Sequence, residues 1–102
     1  MTYVENVLLK EKKRLLTLKD HYEELVSELP KGSIQKRQRG DCVYYYRAYR
    51  NGDRVISEYV GNTEEAAVGL REQIEKRKHM KRVIAKIQKE LKVIDKITEG
   101  IK

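Results

Sequence analysis

The residues predict an α+β fold: two long amphipathic helices flanking a small two- or three-stranded antiparallel sheet, in the order αβββα. Three observations carry this expectation. Apolar residues recur at alternating steps of three and four at both ends of the chain. The middle is rich in valine and tyrosine, in two runs that meet at Asn51-Gly52. Pro30-Lys31-Gly32 and Gly61-Asn62-Thr63 punctuate the changes of period. A chain of 102 residues is expected to form one domain, divided into a helix over 1–29, a sheet over 33–60 and a helix over 63–99.

The first helix follows from a heptad seam of Met1, Val4, Leu8, Glu11, Leu15, Leu18, Tyr22, Leu25 and Leu29, in which Glu11 is the one charged member. Pro30 cannot continue a helix, and Lys31-Gly32 supply a turn.

The sheet is expected to begin with a short strand over 33–38, closed by an Arg39-Gly40-Asp41 turn. A strong strand follows over 42–50, and "RVISEYV" returns over 54–60. A two-residue Asn51-Gly52 loop would set Tyr49 opposite Arg54, Arg47 opposite Ile56 and Tyr45 opposite Glu58. Cys42, Tyr44, Tyr46, Ala48, Val55, Ser57 and Tyr59 then share an uncharged face, expected to pack on the core. Val43, Tyr45, Arg47, Tyr49, Arg54, Ile56, Glu58 and Val60 share the other, expected to be open to solvent.

Thr63 or Asn62 is placed to cap the second helix, and Glu64 and Glu65 complement its positive end. Its seam reads Ala66, Leu70, Gln73, Arg77, Met80, Ile84, Ile87, Leu91, Ile94 and Thr98, and Gly100 is expected to stop it. Antiparallel pairing of the two helices would bring Glu11 near Arg82, within one chain or swapped between two copies.

Composition narrows the function classes. The net charge is +7 and 38% of residues are charged, which favours a polyanionic partner. A single cysteine, Cys42, excludes an internal disulfide. With two histidines beside it, the chain carries neither a metal-ligand spacing nor a nucleophile triad, and it has no phosphate-cradling glycine loop. A non-enzyme without cofactor or metal is expected. No apolar run reaches signal-peptide or membrane-span length, so a cytoplasmic protein without a membrane partner is expected.

Five of the seven tyrosines lie between 44 and 59, interleaved with arginine. Arginine contacts phosphates and reads guanine edges, and tyrosine stacks on bases. The candidate nucleic-acid-binding residues, for DNA or RNA, are Lys36, Arg37, Arg39, Tyr45, Arg47, Tyr49, Arg50 and Arg54. The run "KRKHMKR" adds a secondary basic face at Lys78, Lys81 and Arg82. The plainer reading of the sheet residues is a solvated face with cross-strand cation–π pairs. For the helix it is a solvated coiled-coil face.

"YYYRAYRNGDRVISEYVG", preceded by "LPKGSIQKR", resembles a module of short, largely uncharacterised proteins of bacteria, archaea and their mobile elements. The match covers about Leu29 to Gly61. The pattern Tyr46, Tyr49, Arg50, Gly52 is also similar to the three-stranded arm-binding domains of phage integrases, which grip DNA through a sheet. The first likeness implies the fold and the second a sheet that grips DNA; together with the Tyr/Arg-rich sheet they lead us to expect a nucleic-acid-binding accessory protein of phage or mobile-element origin. The alternative is a protein-interaction module or homodimer working through the helices, such as a phage-encoded inhibitor of a host defence complex of the anti-CRISPR kind.

Overall fold

The computed structural model describes residues 2–101 and has the expected αβββα order: α1 (Tyr3–Glu28), β1 (Ser33–Arg39), β2 (Cys42–Asn51), β3 (Arg54–Gly61) and α2 (Glu64–Ile101). It divides into two compact units. One joins Met1–Glu28 with His79–Lys102, and the other is Leu29–Lys78. No helix among the described residues is long and apolar enough to cross a membrane.

In the helical unit, α1 starts where the Thr2 hydroxyl accepts the Glu5 amide at 3.2 Å, an N-cap that satisfies one orphan donor. The core is Leu15, Ile87 and Ile94, with Leu8, Leu18, Tyr22, Val83 and Leu91 packed against it. Each fully buried aliphatic side chain of this kind stabilises by about 1.5–3 kcal/mol. The helices run antiparallel here. Lys12 Nζ meets Asp95 at 2.7 Å, while Glu23 and Val26 line a groove with Lys81 and Ile84. This register corrects the expected meeting of Glu11 with Arg82. Glu11 is bound instead by Arg14 on its own helix, at 2.9 Å from Nε, and that guanidinium holds the Glu11 carboxyl below its ordinary range.

The heptad seam holds over most of its length with two departures. Val4 is 58% exposed, and Val26, off the seam, is buried. Met1 lies outside the described residues. Gly100 does not stop α2, whose last turn includes it.

In the sheet unit, the Thr63 hydroxyl accepts the Ala66 amide at 3.4 Å and caps α2. Ala67 and Ile74 are buried, whereas Ala66 and Gln73, expected in the seam, are exposed. The apolar stripe in the first turns of α2 is therefore one residue later than expected.

The three strands lie in the order β1-β2-β3, antiparallel throughout. β1 and β2 join at a turn over Gly40-Asp41, with Arg39 paired to Cys42 and Gly40 at φ 60°. β2 and β3 pair as Asn51–Arg54, Tyr49–Ile56, Arg47–Glu58 and Tyr46–Tyr59, so the loop is Gly52-Asp53 rather than Asn51-Gly52. Only Gly52 of the loop has positive φ, at 63°, the pattern of a type II′ turn with glycine first. The register is shifted by two residues from expectation, which preserves the division into faces. Past Tyr46 the pairing slips, and Tyr45 faces Gly61. The added residue is a β-bulge, which bends the strand locally.

Candidate nucleic-acid interface

The two faces of the sheet exchange the roles expected of them. Tyr45 is 8% exposed, and together with Ala67 and Ile74 it makes up the buried apolar set of this unit. Its neighbours on the same face, Val43, Arg47, Tyr49 and Ile56, are half-buried. On the face expected to be core, Tyr59 is 57% and Val55 67% exposed, and Cys42 and Ser57 are exposed as well.

The more buried face tolerates a guanidinium because Arg47 is compensated. Its Nη1 lies 3.7 Å from the Glu58 carboxylate, and its guanidinium carbon sits 4.1 Å from the centroid of the Tyr49 ring. The Tyr49 hydroxyl donates to Glu58 Oε1 at 2.8 Å, and Lys31 Nζ lies 5.9 Å from the centroid of the same ring. The bond to Glu58, then desolvation, raises the Tyr49 phenol above its ordinary value, against a lowering by Arg47. Arginine suits this position because its guanidinium is weakly hydrated and stacks on aromatic rings. Its Nε is nevertheless buried without a hydrogen bond. Arg47, Tyr49 and Glu58 thus form a closed network with structural work of its own.

The other face is open and of one charge. The strand register sets Gln35, Arg37 and Arg39 of β1, Tyr44, Tyr46 and Arg50 of β2, and Tyr59 of β3 on it together. No acidic residue shares this face. Arg37, Arg39 and Arg50 are exposed, and Tyr44 and Tyr46 are half-buried. The Arg37 guanidinium carbon lies 4.7 Å from the Tyr46 ring centroid, and Arg37 Nη2 approaches Gln35 Oε1 at 3.4 Å. Tyr59 meets Tyr46 edge-on, with centroids 5.6 Å apart and planes at 69°. It meets Tyr44 at 6.3 Å and 53°. A hydrogen bond with Cys42 and the charge of that thiol, then desolvation, and last the neighbouring Tyr59 and Tyr46 phenols push the Tyr44 phenol up.

The eight candidate residues are therefore divided. Arg37, Arg39 and Arg50 come together on the open face. Lys36, Tyr45, Arg47, Tyr49 and Arg54 belong to the more buried face, where Lys36, midway along the edge strand β1, and Arg54, at the start of β3, are exposed and Tyr45 is withdrawn from any ligand. Tyr44, Tyr46, Tyr59 and Gln35 share the open face with the three arginines although sequence reasoning left them out. The signal available for them was the period-2 register, which already grouped the three tyrosines. Lys78, Lys81 and Arg82 on α2 are all exposed, and Lys78 pairs with Glu75 at 3.4 Å.

A family described as "Domain of unknown function (DUF6788)" matches residues 8–68, a span holding most of α1, the whole sheet and the start of α2. No curated protein and no solved structure matches the chain. The chain belongs to this DUF6788 family.

Proposed function

We propose that this DUF6788 protein is a small nucleic-acid-binding accessory protein that grips its ligand with the open face of its sheet. The observation that carries the reading is the joining of three exposed arginines and three tyrosine rings on one face without a carboxylate. A polyanion approaching that face meets guanidinium groups for its phosphates and aromatic surface for its bases. The net charge of +7 adds attraction at long range, and Lys78, Lys81 and Arg82 form a secondary basic face of their own. A phage or mobile-element origin, implied by the resemblance of the central module, is in keeping with such a role.

Fluorescence anisotropy of nuclease-treated protein against labelled duplex DNA, single-stranded DNA and structured RNA tests this reading at low and near-physiological salt. Binding that survives the higher salt and prefers one form supports it. Absent or purely low-salt binding removes it and leaves the charge as a solvated surface.

A second reading has its own support. Val4, Val7, Leu16, Val93 and Ile97 of the helical unit are 42% or more exposed, an apolar content suited to a protein partner or second copy. A protein-interaction module, such as a phage-encoded inhibitor of a host defence complex, would use them. A stoichiometric protein partner co-purifying without nucleic acid absorbance favours this reading over the first.

A further inference from the structure

Resting on the nucleic-acid reading, we infer that the ligand is a single strand whose unpaired bases stack on Tyr59, with Tyr44 extending the platform. A duplex hides the faces of its bases against one another and offers proteins only base edges and phosphates. An aromatic ring exposed on a sheet is matched instead to an unstacked base. Tyr59 is such a ring, at 57% exposed. It meets Tyr46 and Tyr44 at 69° and 53°, so neither neighbour lies parallel on its face. Both rings touch Tyr59 from the neighbouring strand and limit the ordering cost of binding.

The charges beside this platform fit the same ligand. Arg37 lies over Tyr46, and Arg39 and Arg50 occupy the two ends of the face, level with Cys42 and Val55. A backbone running along the strands meets cations on either side of the rings. Long acidic side chains that would repel it are missing from this face, because Glu58 is turned to the opposite side and bound to Tyr49. A strand of about seven residues spans roughly 23 Å, room for about four nucleotides of an extended single strand.

The test uses the full chain and three probes of equal length, about twelve nucleotides: oligothymidylate, oligouridylate and a mixed-sequence DNA duplex. Anisotropy gives affinity. Intrinsic tyrosine fluorescence gives stacking directly, since the chain has no tryptophan to mask it. The single strands are expected to bind roughly ten-fold or more tighter than the duplex and to quench tyrosine emission. Tyr59→Leu, which keeps apolar bulk but no π-face, is expected to weaken single-strand binding roughly ten-fold. Tyr59→Phe, which keeps the ring, should bind like the parent. Preference between oligothymidylate and oligouridylate, which differ in the sugar and in the base methyl group, satisfies the inference either way. Duplex binding equal to or tighter than single-strand binding, dependent on Arg37 and Arg39 but indifferent to Tyr59→Leu, overturns the inference and leaves the nucleic-acid reading standing. No binding to any probe overturns both. Circular dichroism of each variant separates lost stacking from lost folding, and Tyr44→Leu repeats the test at the neighbouring ring if Tyr59→Leu does not fold.

Discussion

Arg37 on β1 lies over the ring of Tyr46 on β2, with 4.7 Å between the guanidinium carbon and the ring centroid. The ring holds the charge flat against the open face, with only a long approach to Gln35 on its edge. A stacked guanidinium keeps its outward N–H groups for another acceptor, which a phosphate provides. Replacing Arg37 and Arg39 together by alanine should therefore remove about two phosphate contacts. The slope of log K against log salt is expected to fall by about 1.4 for a single strand, as read by anisotropy titrations across a salt series. An unchanged slope in a folded double variant moves the site elsewhere.

Arg47 should behave oppositely. It is held between Glu58 and the Tyr49 ring, with its side chain 20% exposed. Arg47→Ala is expected to destabilise the sheet unit by about 1–3 kcal/mol, through lost packing and an orphaned hydrogen-bond network. Nucleic-acid affinity of the folded fraction should stay close to the parent's. Urea denaturation beside a binding titration distinguishes this from a direct contact, which would lower affinity at unchanged stability.

Tyr49 and Glu58 predict a pH dependence. The Tyr49 phenol is raised above its ordinary value chiefly by donating to Glu58. The unfolded chain ionises first, at about pH 10. The stability from this bond is thus fully present below that pH and is lost as pH rises through the folded-state value. Tyr49→Phe should be less stable than the parent at neutral pH, and the gap should narrow in alkali. Denaturation midpoints measured at neutral pH and above pH 10 check the sign; a constant gap would mean that the hydroxyl bond does not set it.

Two glycines should differ in cost. Gly52 has φ 63° with open space where a Cβ would stand, so Gly52→Ala costs only the strain of an L residue in the left-handed region, about 1–2 kcal/mol. Gly32 has φ 112°, and a Cβ there would run into the Ala48 carbonyl oxygen and stand 2.9 Å from Tyr49 Cβ. Gly32→Ala should cost clearly more than Gly52→Ala, because the contact is with backbone that cannot swing aside. Equal losses by chemical denaturation would contradict the close approach of residue 32 to β2.

The element order was legible because each element has a different hydrophobic period, and proline and glycine mark the changes. Faces and phases were less so. Tyrosines occupy both faces of β2, so alternation alone could not decide which was inward. Charge suggested the uncharged one. That reasoning missed the compensation of Arg47 by Glu58 and Tyr49, which lets a guanidinium lie on the more buried side. The hairpin loop was read one residue early because Asn51 and Gly52 both accept positive φ, whereas the turn needs it only at Gly52. At the start of α2, Ala66 and Ala67, like Gln73 and Ile74, fit three-and-four spacing in two phases, and burial selects the later one. Ion pairs along α1 were also beyond reach, since Glu11 can satisfy itself with Arg14 on the same helix.

The most direct measurement is a titration of isotope-labelled protein with a short single-stranded oligonucleotide, followed by NMR of backbone amides and tyrosine rings. Perturbations centred on Arg37, Arg39, Tyr44, Tyr46, Arg50 and Tyr59, with the ring signals of Tyr45 and Tyr49 little moved, are the expected result. Perturbations centred on Tyr49, Arg54 and Glu58, or confined to the helical unit with the sheet silent, would contradict binding through the open face.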